Sequence, residues 1–354
     1  MIPSLLLTAA LALVAPTQNP EPMRGSTGEA SAPTQRTTPE GNLARKVGLK
    51  LAFEAPQMHV VGQPFEVRVT INAPPEGAAV STWLLSPGAF TIDGSPVAKR
   101  SDETFVQLPG GAELKLTFDL GPFLKVSQPF ELGFAKGVYA EGPIGVRVLR
   151  PVTGAVNFLD MTAERLAQHM VMLKTTRGDM LIEVWPDVAI EHVRNFLDLA
   201  NSGFYADTLF HRVIPGFMIQ GGDPLTRDPA RITEWGTGNG PRMLPAEFSD
   251  RKHVRGVLSA ARRGSPGVPG PRDPLKNTAS CQFFICHTDA SSLDGNYTAF
   301  GKVLTGLEVI DAIVASPRDA QDRPREPQRI LSMSVLSTSL EAPAGAEGGA
   351  QGSR

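Results

Sequence analysis

Between residues 46 and 150 large apolar side chains recur at every second position, and this period confines the segment to β-structure. Val47, Leu49, Leu51 and Phe53 alternate with small or polar residues, and Phe65, Val67, Val69 and Ile71 enclose Glu66, Arg68 and Thr70. Leu114, Leu116, Phe118 and Leu120 repeat the pattern around Lys115, Thr117 and Asp119, and Ile144, Val146 and Val148 close the set. Successive side chains of a strand point to opposite faces, so each run makes one buried and one wet face. Pro74-Pro75, Pro109-Gly110-Gly111 and Gly121-Pro122 part the runs as turns. Several short antiparallel strands in this span imply an immunoglobulin-like β-sandwich over 46–150, resting on pattern alone, with no cysteine to bridge its sheets.

The rest of the chain divides by composition. Leu5 to Val14 is an apolar run of ten residues, too short for a bilayer, which needs about twenty, but of the length of a signal-peptide core. Residues 1–18 are therefore expected to be a signal peptide and the protein to be exported, periplasmic or extracellular. Against this, no Lys or Arg precedes the run; the first is Arg24. Residues 19–45 hold almost no large apolar side chain and imply a flexible linker. Residues 151–169 are expected to connect the halves, with a short helix near Thr162 to Gln168. The Ala/Gly/Ser-rich residues 337–354 imply a disordered tail.

From residue 170 two strand-like runs flank Arg177-Gly178-Asp179 and predict a hairpin. Ile190, Val193, Phe196, Leu197 and Ala200 fall at helical spacing, with Gly203 placed to cap the C-terminus. A second helix is expected at about 306–315, begun by a capping box of Thr305 and Glu308. Short strands elsewhere suggest a β-barrel closed by two helices, since closure removes exposed strand edges.

Several chemistries are excluded. The 34 basic and 36 acidic residues leave a net charge of −2, which gives no broad case for nucleic-acid binding. Two cysteines cannot make a four-cysteine metal site, and Cys281 and Cys286 lie too far apart along a predicted strand to bridge. The six histidines show no ligand spacing, and no Gly-rich loop precedes a helix to cradle a phosphate, so neither metal nor cofactor is expected. No second apolar run approaches the length of a membrane span.

The segment 204–224, FYADTLFHRVIPGFMIQGGDP, mixes Phe210, Phe217, Met218 and Ile219 with His211, Arg212 and Gln220. Apolar residues beside a few fixed polar groups describe a pocket better than a uniform core. The segment resembles the signature of the cyclophilin-type peptidyl-prolyl cis/trans isomerases. Further blocks follow in that family's order: Gly236-Thr237-Gly238, Gly256-Val257-Leu258-Ser259, Gln282-Phe283-Phe284-Ile285, and Leu293-Asp294-Gly295 leading to Phe300-Gly301-Lys302-Val303. The resemblance covers about 170–336. It implies a cyclophilin-like closed antiparallel barrel with two helices, acting on proline-containing polypeptides. By the same resemblance, Arg212 is the catalytic donor, Gln220 orients it and binds substrate backbone, and Phe217, Met218, Phe283 and Leu293 form a proline slot. Phe284 is expected at the slot floor, Ala261 to offer backbone hydrogen bonds, and Tyr297 to line the site where many members carry histidine. His211 is expected to be structural, because rotation about an amide needs no general base.

The sequence departs from the family at Ser292, where a tryptophan often grips cyclosporin, which implies weak inhibition by that drug. Ala260 replaces a usual methionine. The stretch GSPGVPGPRDPLK between Arg263 and Asn277 is roughly ten residues longer than the common form; beside the presumed groove it either selects substrates or is a tolerated surface insertion. The leading expectation is an exported isomerase assisting the folding of extracytoplasmic proteins. The alternative is a proline-segment binding or chaperone module with incidental turnover. In a third reading the sandwich docks an envelope partner and carries the isomerase there. A monomer is expected.

Overall fold

A computed structural model describes residues 48–99, 104–135, 142–265, 267–268 and 270–339 of the chain. The expected signal peptide and linker, and the expected tail beyond Ser339, lie outside the described residues. The chain divides into two compact units, Met1–Leu149 and Arg150–Arg354.

The first unit contains strands β1 (Lys50–Glu54), β2 (Met58–Val60), β3 (Glu66–Asn72), β4 (Ala78–Ser81), β5 (Phe90–Ile92), β6 (Ser95–Pro96), β7 (Phe105–Leu108), β8 (Glu113–Asp119), β9 (Phe130–Phe134) and the start of β10 (Ile144–Pro151). β1, β3 and β8 form one antiparallel sheet, β4 and β7 a ribbon, and β2, β10, β9, β5 and β6 pair in succession. The alternation read from the sequence is the burial pattern: Val67, Val69 and Ile71 are wholly enclosed, while Glu66 and Arg68 are exposed. Phe53, Phe90 and Phe134 meet ring to ring between the sheets, with centroids 5.1 to 5.8 Å apart. One pairing departs from the antiparallel expectation: β2 runs parallel to β10, Met58 opposite Arg147. A short run such as Met58–Val60 has too little alternation to reveal its direction.

The second unit is mainly β with few helices. Its strands are β11 (His169–Thr175), β12 (Gly178–Val184), β13 (Arg212–Ile214), β14 (Met218–Gly221), β15 (Val257–Ala260), β16 (Phe283–Cys286), β17 (Ala299–Thr305) and β18 (Ile330–Ser337). Its helices are α1 (Ala163–Leu166), α2 (Ile190–Asn201) and α3 (Leu307–Val314). The strands pair antiparallel in the order β13-β14-β16-β15-β17-β12-β11-β18. At the two ends of this path the Phe210 N–H donates to the Gln328 carbonyl and the Ile330 N–H to the Thr208 carbonyl, at 2.9 and 2.8 Å. The β11–β12 hairpin has the predicted place, with Thr175 opposite Gly178.

Both long helices bury their apolar stripes, Val193, Phe196 and Leu197 on α2 and Val309, Ile310 and Ile313 on α3, in one core with Val171, Leu173, Ile182 and Ile285. A fully buried side chain of this size contributes about 1.5–3 kcal/mol. The N-terminus of α2 has no capping side chain of its own. The Glu247 carboxylate accepts from the Glu191 and His192 N–H groups instead, both at 3.1 Å, and so satisfies two otherwise unpaired donors.

Three boundary expectations need correction. Residues 151–169 are not a mere connector: Val156, Phe158 and Leu166 are buried in the core of the second unit. The capping box at Thr305 does not form, because Thr305 is the last residue of β17 and Gly306, at φ +88°, makes the turn into α3 without a side-chain cap. A side chain at 306 would strike the Asp179 carbonyl, so only glycine permits so short a link. Ser337 still belongs to β18, and the Thr338 N–H donates to the Gln168 carbonyl at 3.0 Å, so strand pairing continues into the expected tail.

Candidate active site

The hairpin β13–β14 sets Arg212 opposite Gln220 and Ile214 opposite Met218. Its tip is tied to the loop after β16. Gly216, at φ +72°, donates through its N–H to His287 Nδ1 at 3.0 Å, Thr288 Oγ1 donates to the Gly216 carbonyl at 2.6 Å, and the His287 N–H donates to the Phe217 carbonyl at 2.9 Å. This fixes Phe217, the tip residue, relative to β16. β14 in turn pairs with β16, Met218 opposite Cys286 and Gln220 opposite Phe284.

Alternation then sorts the side chains into two apolar clusters. Ile219, Phe283 and Ile285 enter the main core. Met218, Phe284 and Cys286 enter a second, smaller cluster with Val257 and Leu293, against which Phe217, Ala261 and Tyr297 pack. A cavity of about 100 Å³ opens over this second cluster, lined by Arg212, Phe217, Met218, Gln220, Ala261, Arg262, Phe284, Leu293 and Tyr297. Eight of the nine site residues expected from the sequence therefore meet at one recess.

The ninth, Phe283, does not. It is 1% exposed and packs against Phe196, Tyr205 and Phe210 at 5.7 to 6.1 Å. Adjacent residues of a strand cannot face the same side, so Phe284 lines the recess, and Phe283, expected to form part of the slot, lies in the main core instead. Tyr297 meets the Phe284 ring edge-on at 5.7 Å, and the His253 ring stacks against it at 6.2 Å. The Ala261 N–H is taken by the Gln282 carbonyl at 3.0 Å, so it is not open to a ligand.

The polar groups form a chain. Arg212 Nη1 donates to Gln220 Oε1 at 3.5 Å, Gln220 Nε2 to Gln282 Oε1 at 3.1 Å, and Gln282 Nε2 to the Gly238 carbonyl at 2.7 Å. Gly238 belongs to a neighbouring recess that shares Gln220, Ala261 and Arg262 and takes in Gly236 and Thr237, so another of the sequence blocks falls beside the first recess. Arg212 is exposed and, among the described residues, makes only this long bond, so its guanidinium has donors left for a ligand. His253 lies beneath Phe284, its Nε2 3.0 Å from Ser259 Oγ and its Nδ1 3.1 Å from the Asp294 carboxylate. Burial holds its pKa below the usual imidazole value in spite of that carboxylate. His211 is buried, neither ring nitrogen has a hydrogen-bond partner among the described residues, and burial pushes its pKa down to about 4.

The described residues hold no cluster of three His, Cys, Asp or Glu able to bind a metal, and Cys281 and Cys286 are free, buried thiols. Arg262 and Gln282 were not singled out from the sequence. Arg262 follows Ala261 directly, and Gln282 lies within the Gln282-Phe283-Phe284-Ile285 block, but their roles depend on partners far along the chain.

The recess thus joins apolar side chains to an exposed guanidinium. Residues 170–335 match the family model described as "Cyclophilin type peptidyl-prolyl cis-trans isomerase/CLD". A "Probable peptidyl-prolyl cis-trans isomerase" of Brucella abortus is 36% identical over 174 residues, 48% of this chain and 83% of the relative. The "Peptidyl-prolyl cis-trans isomerase ppi1" of Schizosaccharomyces pombe is 37% identical over 173 residues, 47% of this chain and 98% of the relative. A crystal structure of a cyclophilin type isomerase of Cryptosporidium parvum, 32% identical, covers 48% of this chain and 96% of its own, with a TM-score of 0.41. The chain belongs to the cyclophilin-type peptidyl-prolyl cis-trans isomerases.

Proposed function

We propose that the second unit grips the proline ring of an exported polypeptide in the recess over Phe284 and stabilises the twisted X–Pro bond through Arg212. The barrier to that rotation is about 20 kcal/mol, because amide resonance is lost in the twisted state. Loss of conjugation makes the proline nitrogen pyramidal and basic, so a guanidinium donor beside it favours the twisted state over either planar one. No bond breaks, and no cofactor is needed. Phe217, Met218, Phe284 and Leu293 form the slot in this reading, and Gln220 orients Arg212. The observation that carries it is the convergence of Arg212 with these four side chains at a single recess.

The bonds joining residues 208–210 to 328–330 support reading the eight-strand sheet as a closed barrel. The shared aromatic core of the first unit supports an immunoglobulin-like sandwich, which we take to dock an envelope partner. Export rests on the Leu5–Val14 run, and cell fractionation with and without that run tests it. A monomer remains our expectation.

Exchange spectroscopy on a short X–Pro peptide tests the mechanism. A charge-assisted hydrogen bond made only in the twisted state contributes about 1.5–3 kcal/mol, so Arg212→Ala should lower kcat about 10- to 150-fold while peptide still binds. Wild-type protein that binds but does not accelerate exchange would instead establish a proline-binding module.

A further inference from the structure

Arg262 lines the recess, yet its guanidinium has little left to offer a substrate. Its side chain is 5% exposed. Nε and Nη2 donate to the Asn296 carbonyl at 3.1 and 2.9 Å, and Nη1 donates to the Arg263 carbonyl at 2.7 Å and to Asp273 Oδ2 at 2.8 Å. The guanidinium carbon lies 4.7 Å from the centroid of the Tyr297 ring. Arg262 is thus a strut between the loop joining β15 to β16 and the wall of the slot.

The loop end of the strut is Asp273. Its side chain is 1% exposed, and besides Arg262 it accepts from the Ser265 and Leu275 N–H groups, both at 2.9 Å. A buried carboxylate so fully paired holds its partners in one arrangement, since releasing any of them leaves a charge without solvation. The same loop touches the slot wall a second time, where the Gly270 N–H donates to Asn296 Oδ1 at 2.6 Å. Tyr297 follows Asn296 and packs edge-on against Phe284. A ring on a half-open wall can otherwise swing about its side-chain torsions, and a cation over its face limits that freedom.

We propose that Asp273 is a positioning residue for the isomerase slot: through Arg262 it sets the ring of Tyr297, and so the width of the recess that receives proline. The inserted loop then belongs to the specificity apparatus of the enzyme. This rests on the slot assignment made above.

The test is a double-mutant cycle read in the steady-state kinetics of an X–Pro peptide, using the full chain. Asp273→Asn should lower kcat/KM about 3- to 30-fold, carried by KM with kcat little changed. In a Tyr297→Ala background the same substitution should have almost no further effect, because the ring it positions is gone. Unchanged KM in Asp273→Asn, or losses that multiply in the double variant, overturns the proposal. If Asp273→Asn does not fold, Gly270→Ala disturbs the same loop, since its new methyl would meet Asn296 Cα. The expected result is again a raised KM that vanishes beside Tyr297→Ala, and an unchanged KM again refutes it. An inactive wild type sinks the slot reading and the proposal together, whereas an active wild type with additive losses sinks the proposal alone.

Discussion

Phe283 and Phe284 are neighbours on β16 whose removal should produce opposite defects. Phe283 is wholly enclosed by Phe196, Tyr205 and Phe210. Cutting such a ring back to a methyl group costs about 3–5 kcal/mol, the lost transfer energy plus a cavity that rigid neighbours cannot fill. For a unit of this size each kcal/mol moves the thermal midpoint by about 2–4 °C, so Phe283→Ala should melt about 6–20 °C lower. Phe284 faces the recess, where water can enter the vacated space, and Phe284→Ala should lose less stability. In the proposed mechanism it gives up the face on which proline rests. About 50–80 Å² of apolar contact at ~25 cal/mol/Å² is ~1.25–2 kcal/mol, or about 8- to 30-fold in kcat/KM. Thermal unfolding and peptide isomerisation, both with purified variants well below their melting points, separate the two. A Phe283→Ala protein of unchanged midpoint but lost activity would show that the two faces of the strand have been assigned the wrong way round.

Other outcomes follow from the same interior. His211 is neutral in the folded state until about pH 4, whereas in the unfolded chain it protonates near pH 6.5. Between these values the unfolded state binds the extra proton, so stability should fall as pH drops, by up to about 3 kcal/mol, and level off below pH 4. Urea unfolding across that range should show the slope, and His211→Gln should flatten it; an unchanged slope assigns the proton uptake elsewhere. Burial pushes the Cys281 and Cys286 thiols up to about 12. A thiol reagent at pH 8 should therefore leave both unlabelled until denaturant is added, and rapid labelling of native protein would contradict their enclosure. Gly306→Ala places a methyl group against the Asp179 carbonyl at a positive φ, and should cost more than about 1 kcal/mol in equilibrium unfolding; a neutral change would mean that the β17–α3 turn is not as tight as described.

Much of this was legible in the residues, for local reasons. Val67, Val69 and Ile71 announce their strand because alternation is written into consecutive positions, and the α2 stripe shows itself in the same way. The segment 204–224 reads as a pocket by its residue mix, but the full lining of the recess was legible only as a resemblance, since Arg212, Phe284 and Leu293 are brought together by strand pairing that no local pattern encodes. Phe283 was misplaced because two identical neighbours give no hint of which faces the slot. The strut at Arg262 escaped notice because its worth depends on Asp273 and Asn296, residues that the intervening loop and strand bring back to it. The capping box at Thr305 failed for a related reason, as pairing with β12 outcompeted the helix for that residue.

The order of strands around the second unit also has a consequence in time. β18, the last strand among the described residues, lies beside β11, the first of the second unit's own strands, with Lys174 opposite Ser332. As the chain emerges from a ribosome, the β11–β12 hairpin can form at once, but one edge of β11 waits until β18 has been made. During that interval the nascent unit presents an open strand edge, and its apolar interior is incomplete. The second unit therefore cannot complete its sheet until synthesis has passed residue 337.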